Sequence, residues 1–164
     1  MLIFKNLYLT DRVFYCLATC IFLFAASFLV DFIFYLTLTL LSGIVLVMLL
    51  DVYVLFKTAA ISAGRETGSI FSLNDKNKIT LTITNLSSYQ LSLKIIDEIP
   101  YQFNERDFLM QTSLGKSKTE IIHYHVVPFI RGEYLFGNLH VFIKTKLGLV
   151  LKKETTFCEK PVAV

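Results

Sequence analysis

The spacing of hydrophobic residues changes once along the chain, from an almost unbroken apolar stretch to alternation. In the apolar stretch, residues 13–50, Asp31 is the single charged side chain, with eighteen uncharged residues before it and nineteen after it. Each run is close to the length of a helix that crosses a hydrocarbon core of about 30 Å. One continuous helix would be about 57 Å long, too long for a bilayer or a small domain. The pattern predicts two transmembrane helices, over about residues 13–30 and 32–56.

Asp31 separates the two predicted helices and is expected at the tip of a tight helical hairpin. A charged side chain near the centre of a membrane helix costs roughly 2.5 to 3.5 kcal/mol, whereas one in the headgroup region costs little. Two alternatives stay open. Asp31 could be an intramembrane acid such as a proton relay, or the first helix could be a signal peptide cleaved near the small residues of 24–27.

Basic residues flank the predicted hairpin at one end only. Lys5 and Arg12 precede the first helix, Lys57 and Arg65 follow the second, and the tip carries no Lys or Arg. The positive-inside rule then places both termini in the cytoplasm. We therefore expect a multi-pass membrane protein, with the lipid bilayer as its first partner.

Beyond the hairpin, apolar and polar residues alternate with a period of two. In KITLTITN, the residues Ile79, Leu81 and Ile83 share one face, and QLSLKIID repeats the pattern. Later segments of the same character are EIIHYHVVP, GEYLFG, NLHVFIKTKLG and LVLKKETTF, while NERDFLMQTSLG has room for one short turn of helix. This many short strands in about 95 residues predicts an antiparallel immunoglobulin-like β-sandwich.

The predicted fold class is a membrane α-hairpin followed by an all-β domain. The second helix is expected to continue past the apolar run until Gly64 and Gly68 stop it. The hairpin domain then covers residues 1–65, and the β-sandwich covers residues 66–164.

Composition and charge agree with this division. Hydrophobic residues make up 54% of the 164 residues, and only five of the twenty-nine charged side chains precede residue 57. The rest of the chain carries fourteen Lys and Arg against ten Asp and Glu. Aromatic residues are not interleaved with these basic residues in a stacking pattern, so no nucleic-acid partner is expected. A basic patch beneath a bilayer would face anionic headgroups, and its predicted members are Lys144 and Lys146 on one strand face, Lys152 and Lys153.

Catalytic chemistry has no recognisable constellation in the sequence, and no cofactor is expected. Cys16 and Cys20 fall inside the first helix and Cys158 is alone in the polar half, which gives no disulfide framework. Asp97 and Glu98 are adjacent and diverge at a strand end, which does not suit paired acid and base catalysis. They are expected to close a turn instead, and we expect no enzyme.

Three histidines support the one metal hypothesis. His123 and His125 point to the same face of one strand, and His140 on a later strand could approach them. The competing interpretation is a half-exposed polar face of a sheet, because no Asp or Glu lies beside them at ligand spacing. A bound metal would make the chain a ligand- or metal-sensing membrane protein with the sandwich as its sensor.

The segment IRGEYLFG has the most specific pattern in the polar half. We expect a tight turn feeding a short strand whose aromatic residues, Tyr134 and Phe136, enter the core. Arg131 either pairs with a carboxylate such as Glu133 or Asp97, or contacts a partner. The candidate turn or interaction residues are Arg131, Gly132, Tyr134, Phe136 and Gly137.

Together these segments resemble the region that precedes the signature domain in the bacterial domain-of-unknown-function 58 family. The family pattern R-G-x-Y-x-F-G matches residues 131–137, a strand-ending asparagine matches Asn85, and IIDEIP matches a D-x-x-P segment. The family's D-P-L-G-L segment matches in residues 147–149, with no Asp-Pro before them. The resemblance covers nearly the whole chain.

The resemblance implies a membrane hairpin and a β-sandwich in proteins that are associated with MoxR-type AAA+ ATPases and have no established reaction. It also implies a following von Willebrand factor A-like domain, so the chain is expected to be a fragment of a longer one. We expect a membrane-anchored, non-enzymatic scaffold or interaction protein, with a cytoplasmic AAA+ ATPase or other membrane proteins as partners.

Overall fold

The computed structural model describes residues 6–103 and 108–164, and within them the chain forms two helices and ten strands. The helices are α1 (Asp11–Ala26) and α2 (Asp31–Lys57). The strands are β1 (Leu7–Leu9), β2 (Ile61–Glu66), β3 (Asn77–Asn85), β4 (Leu91–Asp97), β5 (Phe108–Leu114), β6 (Thr119–Val126), β7 (Glu133–Phe136), β8 (Leu139–Lys144), β9 (Val150–Thr156) and β10 (Lys160–Ala163).

The chain divides into two compact units. Unit 1 contains Met1–Thr58 and Lys144–Lys152, and unit 2 contains Ala59–Ile143 and Lys153–Val164. The helices belong to unit 1, together with β1, which pairs antiparallel with the first three residues of β9. The rest of β9 and the other strands form unit 2, apart from Lys144 at the end of β8. The sequence interpretation divided the chain once, at residue 65, and did not assign the segment Lys144–Lys152 to the helices.

Unit 1 is built on the helix pair α1 and α2. Residues 27–30 connect the helices, and the ring centroids of Phe24 and Phe34 lie 5.9 Å apart in an edge-on contact. Asp31 is exposed at the first position of α2, where the positive end of the helix dipole favours a carboxylate. Asp31 thus lies at the connection between the helices, as the sequence predicts.

The two helices differ in their capacity to span a bilayer. Among the described residues, α2 is the one helix that is long and apolar enough to cross a membrane. The 16 residues of α1 extend over about 24 Å, which is shorter than a hydrocarbon core. Most residues of α2 are exposed, and its buried residues are Thr37, Asp51 and Leu55.

The end of α2 differs from the prediction. The helix ends at Lys57, and Gly64 lies inside β2, so the prediction that Gly64 and Gly68 stop the helix is wrong. The reason is tertiary: β2 pairs antiparallel with β3 along its whole length, from Ile61 opposite Asn85 to Glu66 opposite Thr80. Such a ladder satisfies the backbone of a segment that has no strand periodicity of its own.

In unit 2 the described strands form one sheet in the order β9-β8-β4-β5, another in the order β2-β3-β6, and the pair β7-β10. The pairs β2-β3, β3-β6, β4-β5 and β7-β10 are antiparallel. Alternate residues of β3 and β4 are buried, which confirms the predicted half-buried strands. The hydrophobic core of these strands includes Ile79, Leu81, Ile83, Leu91, Leu93, Ile95, Leu139, Val141 and Ile143.

The segment NERDFLMQTSLG forms β5 from Phe108 onward, and its residues 104–107 lie outside the described residues. A single turn of 3-10 helix occurs earlier, at Tyr101–Phe103. The apolar, strand-like end of the chain forms β10, which lies beside β7.

Candidate functional sites

Asp51 is a buried carboxylate near the end of α2, with 1% of its surface exposed. Its Oδ2 accepts hydrogen bonds from the backbone N–H groups of Leu149 at 3.0 Å and Val150 at 3.1 Å, and its Oδ1 accepts one from the Thr145 hydroxyl. A buried carboxylate needs donors of this kind to remain charged. Asp51 therefore fixes residues 145–150, which we call the junction turn, against α2.

The start of α1 binds the same turn. The backbone N–H of Thr10 donates to the carbonyl of Leu149 at 3.0 Å, and the Thr10 hydroxyl donates to the carbonyl of Gly148 at 2.8 Å. Arg12 Nη1 donates to the carbonyl of Leu147 at 2.8 Å. The start of α1 and the end of α2 therefore meet at the junction turn. Asp51 follows the apolar run of residues 13–50, and no local pattern in the sequence indicates this contact.

Gly148 in the junction turn has a φ of +64°, a conformation that side chains with a Cβ disfavour. A Cβ at this position would also lie 3.3 Å from Lys144 Cγ and 3.4 Å from Arg12 Nη1. Glycine is therefore required here by both the backbone and the neighbouring side chains. Two basic side chains from different segments converge on it.

The lysines predicted as a lipid-facing patch are divided between the two units. Lys144, Lys146 and Lys152 belong to unit 1, and Lys153 belongs to unit 2. The prediction that Lys144 and Lys146 share a strand face is wrong, because β8 ends at Lys144 and Lys146 lies in the junction turn. Lys152 Nζ lies 5.5 Å from the centre of the Phe56 ring in α2.

Unit 2 contains a buried ion pair between Arg65 and Asp97. Arg65 Nη1 lies 2.5 Å from Asp97 Oδ1, and the Tyr124 hydroxyl donates to Asp97 Oδ2 at 2.5 Å. Arg65 Nη2 donates to the carbonyls of Gly137 at 2.8 Å and Cys158 at 2.5 Å. The pair joins β2 to β4, with Tyr124 contributed by β6, so side chains from both larger sheets meet in one core.

This ion pair bears on two expectations. Arg65, which the sequence counts among the basic residues that flank the hairpin, has a buried side chain. Asp97 is the last residue of β4, faces the core and pairs with Arg65, so it does not pair with Arg131. Arg131 is exposed and forms no hydrogen bond or ion pair within residues 6–103 and 108–164.

The segment IRGEYLFG forms the predicted short strand. Tyr134 and Phe136 are buried, which confirms that both aromatic residues enter the core, where they contact Phe103 at centroid distances of 4.8 and 6.0 Å. Gly132 has a φ of +154°. Gly137 lies so close to Glu98 that a Cβ would be 2.8 Å from Glu98 Cβ, which explains the glycine. Of the same set, Arg131 and Gly132 are exposed.

Asn85, at the end of β3, is a buried residue that organises two turns. Its Nδ2 donates to the carbonyls of Tyr89 at 2.9 Å, Leu114 at 3.1 Å and Gly115 at 2.9 Å. Its Oδ1 accepts the backbone N–H of Ser87 at 2.9 Å. These contacts give a structural reason for the asparagine at this position.

Glu98 and His140 form a surface pair. His140 Nε2 lies 2.6 Å from Glu98 Oε1, and the backbone N–H of Asn138 donates to Glu98 Oε2 at 2.7 Å. Burial raises the pKa of Glu98, but the hydrogen bonds from Asn138 and His140 and the charges of His140 and Lys153 outweigh burial and hold this pKa below its ordinary value.

The three histidines of the metal hypothesis are divided between two sheets. His123 and His125 are exposed on β6, and His123 Nδ1 lies 3.2 Å from the Thr80 hydroxyl. His140 lies on β8 and contacts Glu98. In the part of the chain that the structure describes, no three His, Cys, Asp or Glu side chains are placed to hold a metal ion.

Comparisons with known proteins give a limited result. No family model and no curated protein matches the chain. Among solved structures, the chain is similar to the CARDB domain of the PF1109 protein from Pyrococcus furiosus, with 10% identity and a TM-score of 0.43 over 66% of this chain and 90% of that one. It is also similar to PapD-like domain 7 of human CEP192, with 9% identity and a TM-score of 0.42 over 65% of this chain and 85% of that one. Likenesses of this strength establish neither a family nor a function.

Proposed function

We propose that this chain is a membrane-anchored, non-enzymatic scaffold or interaction protein. In this proposal α1 and α2 form a hairpin in the bacterial inner membrane, and both termini face the cytoplasm. Unit 2 is an immunoglobulin-like β-sandwich that binds a protein partner. A MoxR-type AAA+ ATPase is the partner that the resemblance to the domain-of-unknown-function 58 family suggests.

The observation that carries the anchor is the pair of hydrogen bonds at Leu149. Its carbonyl accepts from Thr10 at the start of α1, and its N–H donates to Asp51 near the end of α2. Because of this shared contact, the start of α1 and the end of α2 lie on the same side of the bilayer. If α2 crosses the bilayer, α1 must therefore cross it as well. α1 is short for a membrane span, but the uncharged run continues past its end through residues 27–30. A bilayer also adapts to a short span by local thinning.

The exposed surface of the two helices supports a lipid environment. Soluble monomers rarely expose large contiguous apolar patches, because such surfaces associate in water. Large apolar residues are exposed along both helices, among them Phe14, Ile21, Phe22, Phe32, Tyr35, Leu46 and Leu49. In a hydrocarbon core these side chains are not exposed to water, so their exposure on the protein surface has no hydrophobic cost.

Arg131 and its exposed apolar neighbours supply the candidate partner surface on unit 2. Phe129, Ile130 and Leu135 are all exposed, and each is within four residues of Arg131 in the chain. Arginine and large apolar residues are enriched at the centres of protein interfaces. We define these four residues as the partner surface.

Membrane topology is tested by labelling single cysteines with a membrane-impermeant maleimide in spheroplasts. Cys16, Cys20 and Cys158 are first replaced by serine, and one cysteine is then introduced at Asn6, Leu29 or Glu159. The hairpin predicts labelling at Leu29 in intact spheroplasts, and at Asn6 and Glu159 only after lysis. Labelling of the Asn6 variant before lysis would mean that α1 does not cross and would refute the hairpin.

Partner binding is tested with the full chain in lipid nanodiscs and a purified MoxR-type AAA+ ATPase from the same cell. We expect a stable complex that Arg131→Ala weakens without changing the thermal midpoint of the chain. Lys78→Ala, which removes an exposed charge on β3, is the matched control and should leave binding unchanged. Absence of a complex with the unmodified chain would contradict the proposed partner.

A further inference from the structure

Two basic side chains of unit 1 converge on the junction turn from different segments. Arg12 follows the start of α1, and its Nη1 is held 2.8 Å from the carbonyl of Leu147. Lys144 ends β8, and its stem lies over Gly148, at the position where Arg12 Nη1 also approaches. Arg12 and Lys144 are far apart in sequence, so their proximity is a property of the fold.

Among the described residues, no carboxylate forms an ion pair with either of these cations. Both side chains approach Gly148, and like charges that lie close together repel unless an anion lies between them. In the described part of unit 1, neither Arg12 nor Lys144 nor Lys146 forms an ion pair. The nearby acidic groups are Asp51, whose oxygens are bonded to the junction turn, and Asp11, which is exposed on the first turn of α1.

Apolar surface begins directly beside the two cations. Leu147, within the junction turn, is 54% exposed. Phe14 and Tyr15, on the first turns of α1, are more exposed still. A ligand that matches both the two cations and the exposed apolar side chains combines a negative charge with a hydrocarbon portion.

We propose that Arg12, Lys144 and the junction turn form a binding site for the phosphate of an anionic phospholipid headgroup. Arg12 contributes guanidinium N–H groups that the Leu147 carbonyl does not use, and Lys144 contributes its ammonium group. Lys146 lies at the rim of the site, and Leu147 contacts the acyl region. This inference rests on the proposed membrane anchor and adds a lipid preference to it.

The test measures lipid selectivity of the full chain in nanodiscs of phosphatidylcholine and phosphatidylglycerol. Spin-labelled forms of both lipids report, by electron paramagnetic resonance, the ratio of their association constants with the protein. We expect a preference for phosphatidylglycerol that Arg12→Gln with Lys144→Gln lowers by at least about fivefold, since one cation near an anionic surface contributes about that factor. The matched control, Lys76→Gln with Lys78→Gln, removes two exposed charges from unit 2 and should keep the preference.

Three results would overturn the site. An equal loss in the control variant would indicate diffuse charge, and an unchanged preference in the Arg12 and Lys144 variant would exclude these residues. Loss of the preference on adding inorganic phosphate at constant ionic strength would indicate a site for a soluble anion. Carbonate extraction separates this inference from the anchor: a chain that stays in the membrane but shows no lipid preference refutes the site alone, whereas a chain that is extracted refutes the anchor.

Discussion

Arg65 and Asp97 form an ion pair in the core of unit 2, with their side chains 1% and 0% exposed. Both members of the pair make further hydrogen bonds: Asp97 also accepts from Tyr124, and Arg65 also donates to two backbone carbonyls. Guanidinium groups suit such sites because they present several donors in a planar arrangement. The pair links three strands that lie far apart in sequence.

Removing one member of this pair should destabilise the fold strongly. We expect Asp97→Leu to lower the free energy of unfolding by about 3 to 5 kcal/mol, because it leaves Arg65 charged in the core. Arg65→Met combined with Asp97→Leu should recover much of this loss, since no buried charge remains. Chemical denaturation of the full chain in detergent, followed by tyrosine circular dichroism, measures both. A double variant no more stable than Asp97→Leu would show that the charge is not the cause.

The carboxylate of Asp51 should control the stability of the junction turn. Asp51→Ala leaves the N–H groups of Leu149 and Val150 without their acceptor, at a cost of about 1 to 3 kcal/mol for each group that water does not reach. We therefore expect amide hydrogen exchange at Leu149 and Val150 to accelerate in this variant. Asp51→Asn retains one acceptor oxygen and should exchange more slowly than Asp51→Ala.

Asp31→Asn is the matched control for Asp51, because Asp31 is an exposed carboxylate on the same helix. It should leave exchange in the junction turn unchanged. Equal exchange rates in the unmodified chain and the Asp51→Ala variant would contradict the role of Asp51. Loss of function in Asp31→Asn with normal insertion would revive the proton-relay hypothesis.

The sequence predicted those features that depend on neighbouring residues. The alternation in β3 and β4 and the burial of Tyr134 and Phe136 follow from a period of two, which is a local property. The sequence did not predict β2, because ISAGRE has no alternation of apolar and polar residues. This segment becomes a strand only by pairing with β3. The burial of Arg65 and of Asp51 depends on partners 32 and more than 90 residues away. Such contacts are set by the tertiary fold and leave no periodic signal.

Phe136→Ala should be among the most destabilising substitutions in unit 2. Phe136 is fully buried, contacts Phe71 and Phe103, and lies 4.9 Å below the guanidinium carbon of Arg65. Truncation of a buried phenylalanine costs about 3 to 5 kcal/mol. Leu135→Ala, at an exposed position on the same strand, should stay within about 0.5 kcal/mol of the unmodified chain. Similar unfolding midpoints for these two variants would refute the core assignment.

Glu98 should make the chain sensitive to acid in a defined direction. Its pKa is lower in the folded state than its ordinary value, so the folded state binds fewer protons than the unfolded state as the pH falls. The stabilisation by Glu98 is therefore complete above about pH 4.3, the ordinary glutamate value, and is lost as the pH falls toward the folded-state pKa. The difference in unfolding free energy between the unmodified chain and Glu98→Gln should shrink over that range.

His140→Gln keeps the carboxylate but removes its partner 2.6 Å away, so this variant should show a weaker dependence on pH. A difference that grows on acidification would mean that the pKa of Glu98 is raised, and that burial outweighs the contacts with Asn138 and His140.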